Sequence, residues 1–174
     1  MSAVKLSVIT GNWFINIFIV LNYCTLLALA GINQGQACPV ENKHTEIIIN
    51  GHILTAEVAG DLESHMCGLA FRDDLSADHG MLFAYAEDQI LGFWMKDTFI
   101  ALSIAFLDAG GSIVEIHDMK PKNTTLRYIS KVPVRYALEV KQGWFNKNGI
   151  VIGDRVEFDL HAGPEIFLYH SASE

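Results

Sequence analysis

Residues 45–59 read TEIIINGHILTAEVA, two apolar, β-branched runs joined by Asn50-Gly51. That dipeptide favours positive φ at both central positions of a type I′ turn, so the stretch predicts a β-hairpin. On its second arm Ile53 and Thr55 alternate with Leu54 and Ala56, as in a half-buried strand. Working outward, DLESHMCGLAF follows, where Asp61 or Ser64 caps a short helix and Gly68 ends it. GMLFAYA, ILGFWM, FIALSIAFLD and SIVEIHDMK are then aromatic and β-branched runs separated by turn residues. The run at 99–107 is apolar almost throughout and should be covered on both faces. PVRYALEV puts Val134, Tyr136, Leu138 and Val140 on one face and Arg135, Ala137 and Glu139 on the other. QGWFNKNG reads as a helical turn closed by Asn148-Gly149, with GDRVEFDL and EIFLYH as final strands. Short strands joined by turns, with no long helix between them, predict a mostly β fold. The expected form is a compact sandwich or partly closed barrel of short strands with two small helices.

The first part of the chain reads differently. From Trp13 to Ala30 there are 18 residues without a charge, preceded only by Lys5 and the amino terminus. A weakly basic start, an apolar run and small residues after it match a secretory signal. The reading favours cleavage, after Ala28-Leu29-Ala30 or after Gly35-Gln36-Ala37. An uncleaved anchor is the alternative, since the run approaches the ~20 residues that span a bilayer, and lipid attachment at Cys38 is a lesser one. A core helix fits poorly, because the segment is apolar on every face. Residues 1–37 are therefore read as signal or anchor plus linker, and 38–174 as one β-rich domain. The domain is expected outside the cytoplasm, periplasmic or extracellular. Any membrane attachment would run through the N-terminal segment alone.

Of 12 basic and 20 acidic residues only Lys5 precedes residue 41, and the net charge is −8. An acidic domain with no basic stripe repels phosphate backbones, which argues against nucleic acid as a partner. Cys24 falls inside the apolar run. In an oxidising compartment Cys38 and Cys67 are able to pair, whereas lipidation of Cys38 would leave Cys67 a lone thiol.

No phosphate-binding Gly-rich loop, CxxC, HExxH or GxSxG motif is present. The candidate for chemistry is Phe93-Trp94-Met95-Lys96-Asp97-Thr98, where a polar trio interrupts two apolar strands beside Trp94. The competing reading is an ordinary turn next to an ordinary core tryptophan. Arg72 and Glu139 each sit in apolar surroundings, and a charge so placed calls for an opposite partner. They are expected either to pair as a structural lock, or to separate, with Arg72 joining Lys96 around an anionic ligand. Met66, Met81, Met95, Met119, Cys67 and several histidines raise a soft-metal alternative such as copper. No pair has ligand spacing, however, and methionine packs well on aromatic rings. No metal site or cofactor is assigned.

MCGLAFRDDL, HGMLFAY, FWMKDTFIALSIAFLD and SKVPVRYALEVKQGWFNKNGIVIGD together resemble the family called domain of unknown function 192, over roughly residues 46–160. The resemblance implies a compact β-rich domain, frequently carried behind an export signal, and no agreed activity. Its pattern would cover Gly68-Leu69, Phe71-Arg72, Gly80 to Phe83, Phe93 to Lys96 with Thr98, and Ser130, Pro133, Val134, Leu138, Glu139 and Gly143. Asp97 stands where the family usually has Asn. Ala101 and Ser103 stand where it tends to have Pro and Asp.

The expected function is binding of a small ligand or protein partner at a polar cleft formed by Arg72, Trp94, Lys96, Asp97, Thr98 and Glu139. A small hydrolase or transferase using the same cleft, with Glu139 or Asp97 as acid/base, is the alternative. A desolvated carboxylate in a pocket beside Trp94 would keep the enzyme reading open.

Overall fold

The computed structural model describes residues 38–160. The apolar run at 13–30, Cys24, the proposed cleavage sites and the strand expected at 165–170 lie outside them. The hairpin is β1 (Lys43–Ile49) and β2 (His52–Ala59), in register from Lys43–Val58 to Ile49–His52. Its turn has Asn50 at φ 51° and Gly51 at φ 82°, the positive values that a type I′ turn requires. Then come α1 (Leu62–Cys67), β3 (His79–Gln89), β4 (Gly92–Phe93), β5 (Leu102–Leu107), β6 (Ile113–Met119), β7 (Tyr128–Ile129), β8 (Val134–Lys141), α2 (Trp144–Lys147) and β9 (Val156–Phe158).

Seven strands form one sheet in the order β6-β5-β8-β3-β2-β1-β9, and β4 pairs with β7 in a separate ribbon. The sheet's two edges meet where Ser112 bridges Arg155. There the Val156 N–H donates to the Gly111 carbonyl and the Ile113 N–H to the Asp154 carbonyl, each at 2.9 Å. Gly111 is required at this seam: its φ is 82°, and a Cβ would stand 2.6 Å from the Val156 carbonyl oxygen. The result is a curled, partly closed barrel rather than two stacked sheets. β5 has all six residues buried, as its apolar run predicts.

Alternation on the strands gives two cores. Ile47, Leu54, Leu82, Leu138 and Val140 point inward with Trp144 and Phe145 of α2. Met81, Phe83, Ala137, Ile104 and Phe106 point outward into a second cluster. That outer face is roofed because β2 and β3 run parallel, and parallel neighbours need a crossover. Residues 60–78 make it, laying α1, Leu69 and Leu75 over the sheet. Leu91, Phe93 and Met95 of the β4 region complete the roof. The expected strand ILGFWM thus shrinks to two paired residues, since its partner β7 offers only two.

Cys38 and Cys67 form a disulfide with Cα atoms 5.4 Å apart. The Cys38 sulfur is therefore engaged and is not free for lipid attachment.

Candidate functional site

The outward face carries a lateral row set by register: Glu57 lies opposite Met81, Met81 opposite Glu139, and Glu139 opposite Ile104. Two carboxylates thus share one row with a methionine between them, and their fates differ.

Glu57 is held by Arg72, whose Nη1 and Nη2 donate to its two carboxylate oxygens, the second at 2.8 Å. Asn42 Nδ2 adds a bond at 3.0 Å. Burial pushes the Glu57 carboxyl up, but Arg72 and Asn42 outweigh it and leave the group below its ordinary value. This corrects the Arg72–Glu139 pair expected from sequence. Arg72 locks onto the neighbouring strand's carboxylate, in a separate hollow with Pro39, Val40 and His44.

Glu139 is 5% exposed, and burial alone pushes its carboxyl up to about 8, with no hydrogen bond or countercharge opposing the rise. It lines a cavity of about 50 Å³ with His65, Gly68, Leu69, Phe83, Phe93, Trp94, Lys96 and Thr98. The cavity lies under the seam between the crossover and the 93–98 turn. Phe71 (φ 60°) and Asp97 (φ 54°) are both left-handed at that seam, joined by the Phe71 N–H donating to the Asp97 carbonyl at 2.8 Å. Asp and Asn enter this conformation more readily than other non-glycine residues, so Asp97 suits the position. For Phe71 the conformation is a true outlier, of the kind that clusters at functional sites.

Each polar wall group has a defined state. Thr98 is buried and its hydroxyl donates to the Lys96 carbonyl at 3.2 Å. His65 Nε2 lies 3.0 Å from the Ala59 carbonyl and 3.2 Å from that of Ala84. Carbonyls only accept, so Nε2 carries the hydrogen. Burial holds this imidazole below its ordinary value, only partly offset by those two bonds and Asp61. The His65 ring stacks on Tyr85 at 4.3 Å, and burial, then the Glu139 charge, push the Tyr85 phenol up to about 12. At the rim Trp94 is 41% exposed, with the Arg127 guanidinium 3.9 Å and Lys96 Nζ 5.4 Å from its ring centre.

Of the six residues expected at the cleft, the fold brings together Trp94, Lys96, Thr98 and Glu139. Asp97 contributes its backbone to the seam and does not line the cavity, so it supplies no second carboxylate. Arg72 is elsewhere. Tyr85 and Arg127 were missed, and His65 was counted only among the soft-metal histidines; no motif places them at the cavity, which only the crossover and the register do. Ser103 faces the opposite side of the sheet, where it donates to Asp118 at 2.5 Å and accepts from the Gly143 N–H at 2.9 Å. Ser103 is therefore no part of the Glu139 cavity. Of the soft-metal candidates only His65, Met66 and the disulfide-bonded Cys67 line the Glu139 cavity. Met81, Met95 and Met119 are wholly buried in the outer core, Cys67 is in the disulfide, and His117 bonds Glu115 at 3.1 Å. Among the described residues no three His, Cys, Asp or Glu side chains converge on a metal position.

No curated protein matches this chain. A solved protein of Sinorhizobium meliloti 1021, described as a candidate transcription regulator, is 31% identical with a TM-score of 0.64. The match covers 71% of this chain and 98% of that one. A protein of unknown function from Novosphingobium aromaticivorans DSM 12444 is 25% identical with a TM-score of 0.60, over 71% of this chain and 94% of its own. The model of the uncharacterized ACR family, domain of unknown function 192, matches residues 45–158, and this chain belongs to that family.

Proposed function

We propose that this is an exported binding domain that takes one polar group of a small ligand or protein partner into the Glu139 cavity. The observation that carries the reading is a buried carboxyl with no partner, opening onto Trp94, Lys96 and Thr98. Holding an ionisable group this far from bulk water is costly. A fold that keeps one beside a strained seam and an exposed tryptophan has the makings of a recognition site. Export is supported by the uncharged run at 13–30 and by the Cys38–Cys67 bond, which belongs to an oxidising compartment. The acidic charge argues against a nucleic-acid partner, so the regulator label of the Sinorhizobium relative is not carried over.

Purifying the exported form and weighing it under native conditions tests both parts. The expected result is an N-terminus beyond residue 30 and a bound small molecule that Glu139→Gln loses. Equal retention by the variant would remove the reading.

A second reading rests on the same carboxyl. A glutamic acid titrating near neutrality is suited to general acid/base work. It stands alone, without a second carboxylate in the cavity and with the Thr98 hydroxyl hydrogen committed to the Lys96 carbonyl, so binding is preferred. Turnover of a co-purified molecule, abolished by Glu139→Gln, would reverse that preference.

A further inference from the structure

The wall groups of the cavity are unequal in what they offer. The Thr98 hydroxyl hydrogen is spent on the Lys96 carbonyl, and the His65 Nε2 hydrogen on the Ala59 and Ala84 carbonyls. With those hydrogens spent, the donors left are the Glu139 proton and the Lys96 ammonium at the rim, and the acceptors deep in the wall include Thr98 Oγ1 and, once ionised, the Glu139 carboxylate. The rim is the reverse, with Lys96 and Arg127 both standing over Trp94. An anion alone would find its charged donors outside and a single neutral O–H within, and a bare cation would meet two positive charges on entry. We propose that the cavity receives the primary ammonium of a small amphoteric amine, whose anionic end stays at the rim with Lys96 and Arg127. This deepens the binding reading and rests on it.

A cavity of about 50 Å³ admits an ammonium group and little of the chain behind it, far less than the 300–1,000 Å³ of cofactor sites. The alkyl body would lie against Trp94. Binding has a proton signature. The empty carboxyl, near 8, is protonated at neutral pH, and an ammonium needs it ionised. Entry of R–NH₃⁺ therefore sends the Glu139 proton to solvent and leaves a carboxylate–ammonium pair. The charged or titratable groups around Glu139 are His65 from α1, Tyr85 from β3 and Lys96 from the turn. The Glu57–Arg72 pair lies in its row, and Lys141, paired with Asp74 at 3.1 Å, lies two residues along β8. Tyr85, pushed up to about 12, stays neutral over this range, and burial lowers the His65 imidazole, away from Glu139's rise to about 8, so Glu139 dominates the response.

The test is calorimetric titration of the mature domain with 4-aminobutyrate, propylamine and butyrate from pH 6 to 9. The expected result is binding of 4-aminobutyrate that tightens about tenfold per pH unit up to about 8, with one proton released. Propylamine should bind more weakly, by roughly fivefold, the worth of an exposed ion pair. Glu139→Gln should lose the pH dependence and at least about tenfold in affinity, with an unchanged circular dichroism spectrum. Lys96→Met should weaken 4-aminobutyrate and leave propylamine no weaker. Butyrate binding best at pH 6 would overturn the proposal while leaving a ligand site in place. Failure of all three probes at pH 8 would overturn it outright, and the native-mass experiment would then judge the binding reading separately.

Discussion

Glu139 carries a proton that belongs to the fold. Its ordinary value is 4.5 and burial raises it to about 8, so between these limits the folded protein holds a proton that the unfolded chain releases. Stability from this group is therefore complete below 4.5 and falls as pH rises through 8. Glu139→Gln should flatten that fall and melt higher than the unsubstituted domain at pH 9, by thermal denaturation across pH 5–9; parallel curves would mean the carboxyl is solvated. Arg72 shows the other outcome for a carboxylate in the same row. Arg72→Ala leaves Glu57 with only Asn42 and should lower stability by about 2–3 kcal/mol while ligand binding at Glu139 is retained, measurable by denaturant titration beside calorimetry. At this scale the sequence made plain that Arg72 and Glu139 each needed explaining, and that Trp94, Lys96 and Thr98 belonged together. It did not make plain which carboxylate Arg72 would take. Glu57 and Glu139 sit two strands apart, about 10 Å at the usual strand spacing, and only the pairing register decides between them.

Elements with local chemistry were readable in advance. Asn50-Gly51 made its hairpin, and Asp61 caps α1 with a reciprocal box to Ser64, closed by Gly68 at φ 50°. β4 was not readable, because ILGFWM has strand composition but its length is fixed by a two-residue partner at 128–129. The parallel β2–β3 pair was equally hidden. Nothing local announces that residues 60–78 return across the outer face, and that return is what builds the cavity. The junction of β3 with β8 gives the test at this scale. A Cβ at Gly80 would lie 2.6 Å from the Glu139 carbonyl oxygen and 3.2 Å from a Val140 methyl. Gly80→Ala must push β3 away from β8 beneath the cavity floor. It should lower stability by about 1–3 kcal/mol and weaken whatever the Glu139 carboxyl binds, read by denaturant titration and calorimetry on the same variant. An unperturbed midpoint would mean the two strands separate freely at that point.

Whether the sheet would stack or curl was open from sequence, because alternation fixes two faces without fixing curvature. The barrel closes through backbone bonds between residues 111–113 and 153–156, and only Gly111 hints at it. A second long-range tie acts on the cavity itself. The Cys38–Cys67 bond joins positions 29 residues apart, a loop whose closure restricts the unfolded chain by about 3–4 kcal/mol on chain-entropy grounds. Cys67 also ends α1 immediately before Gly68 and Leu69 of the cavity wall, so the tie braces the wall as well as the chain. Cys38→Ser paired with Cys67→Ser should therefore lower stability by about 3 kcal/mol, and ligand affinity should fall more than in Arg72→Ala at matched stability. Equal affinity in the two variants, measured where both are fully folded, would show that the bridge holds the chain together without shaping the site.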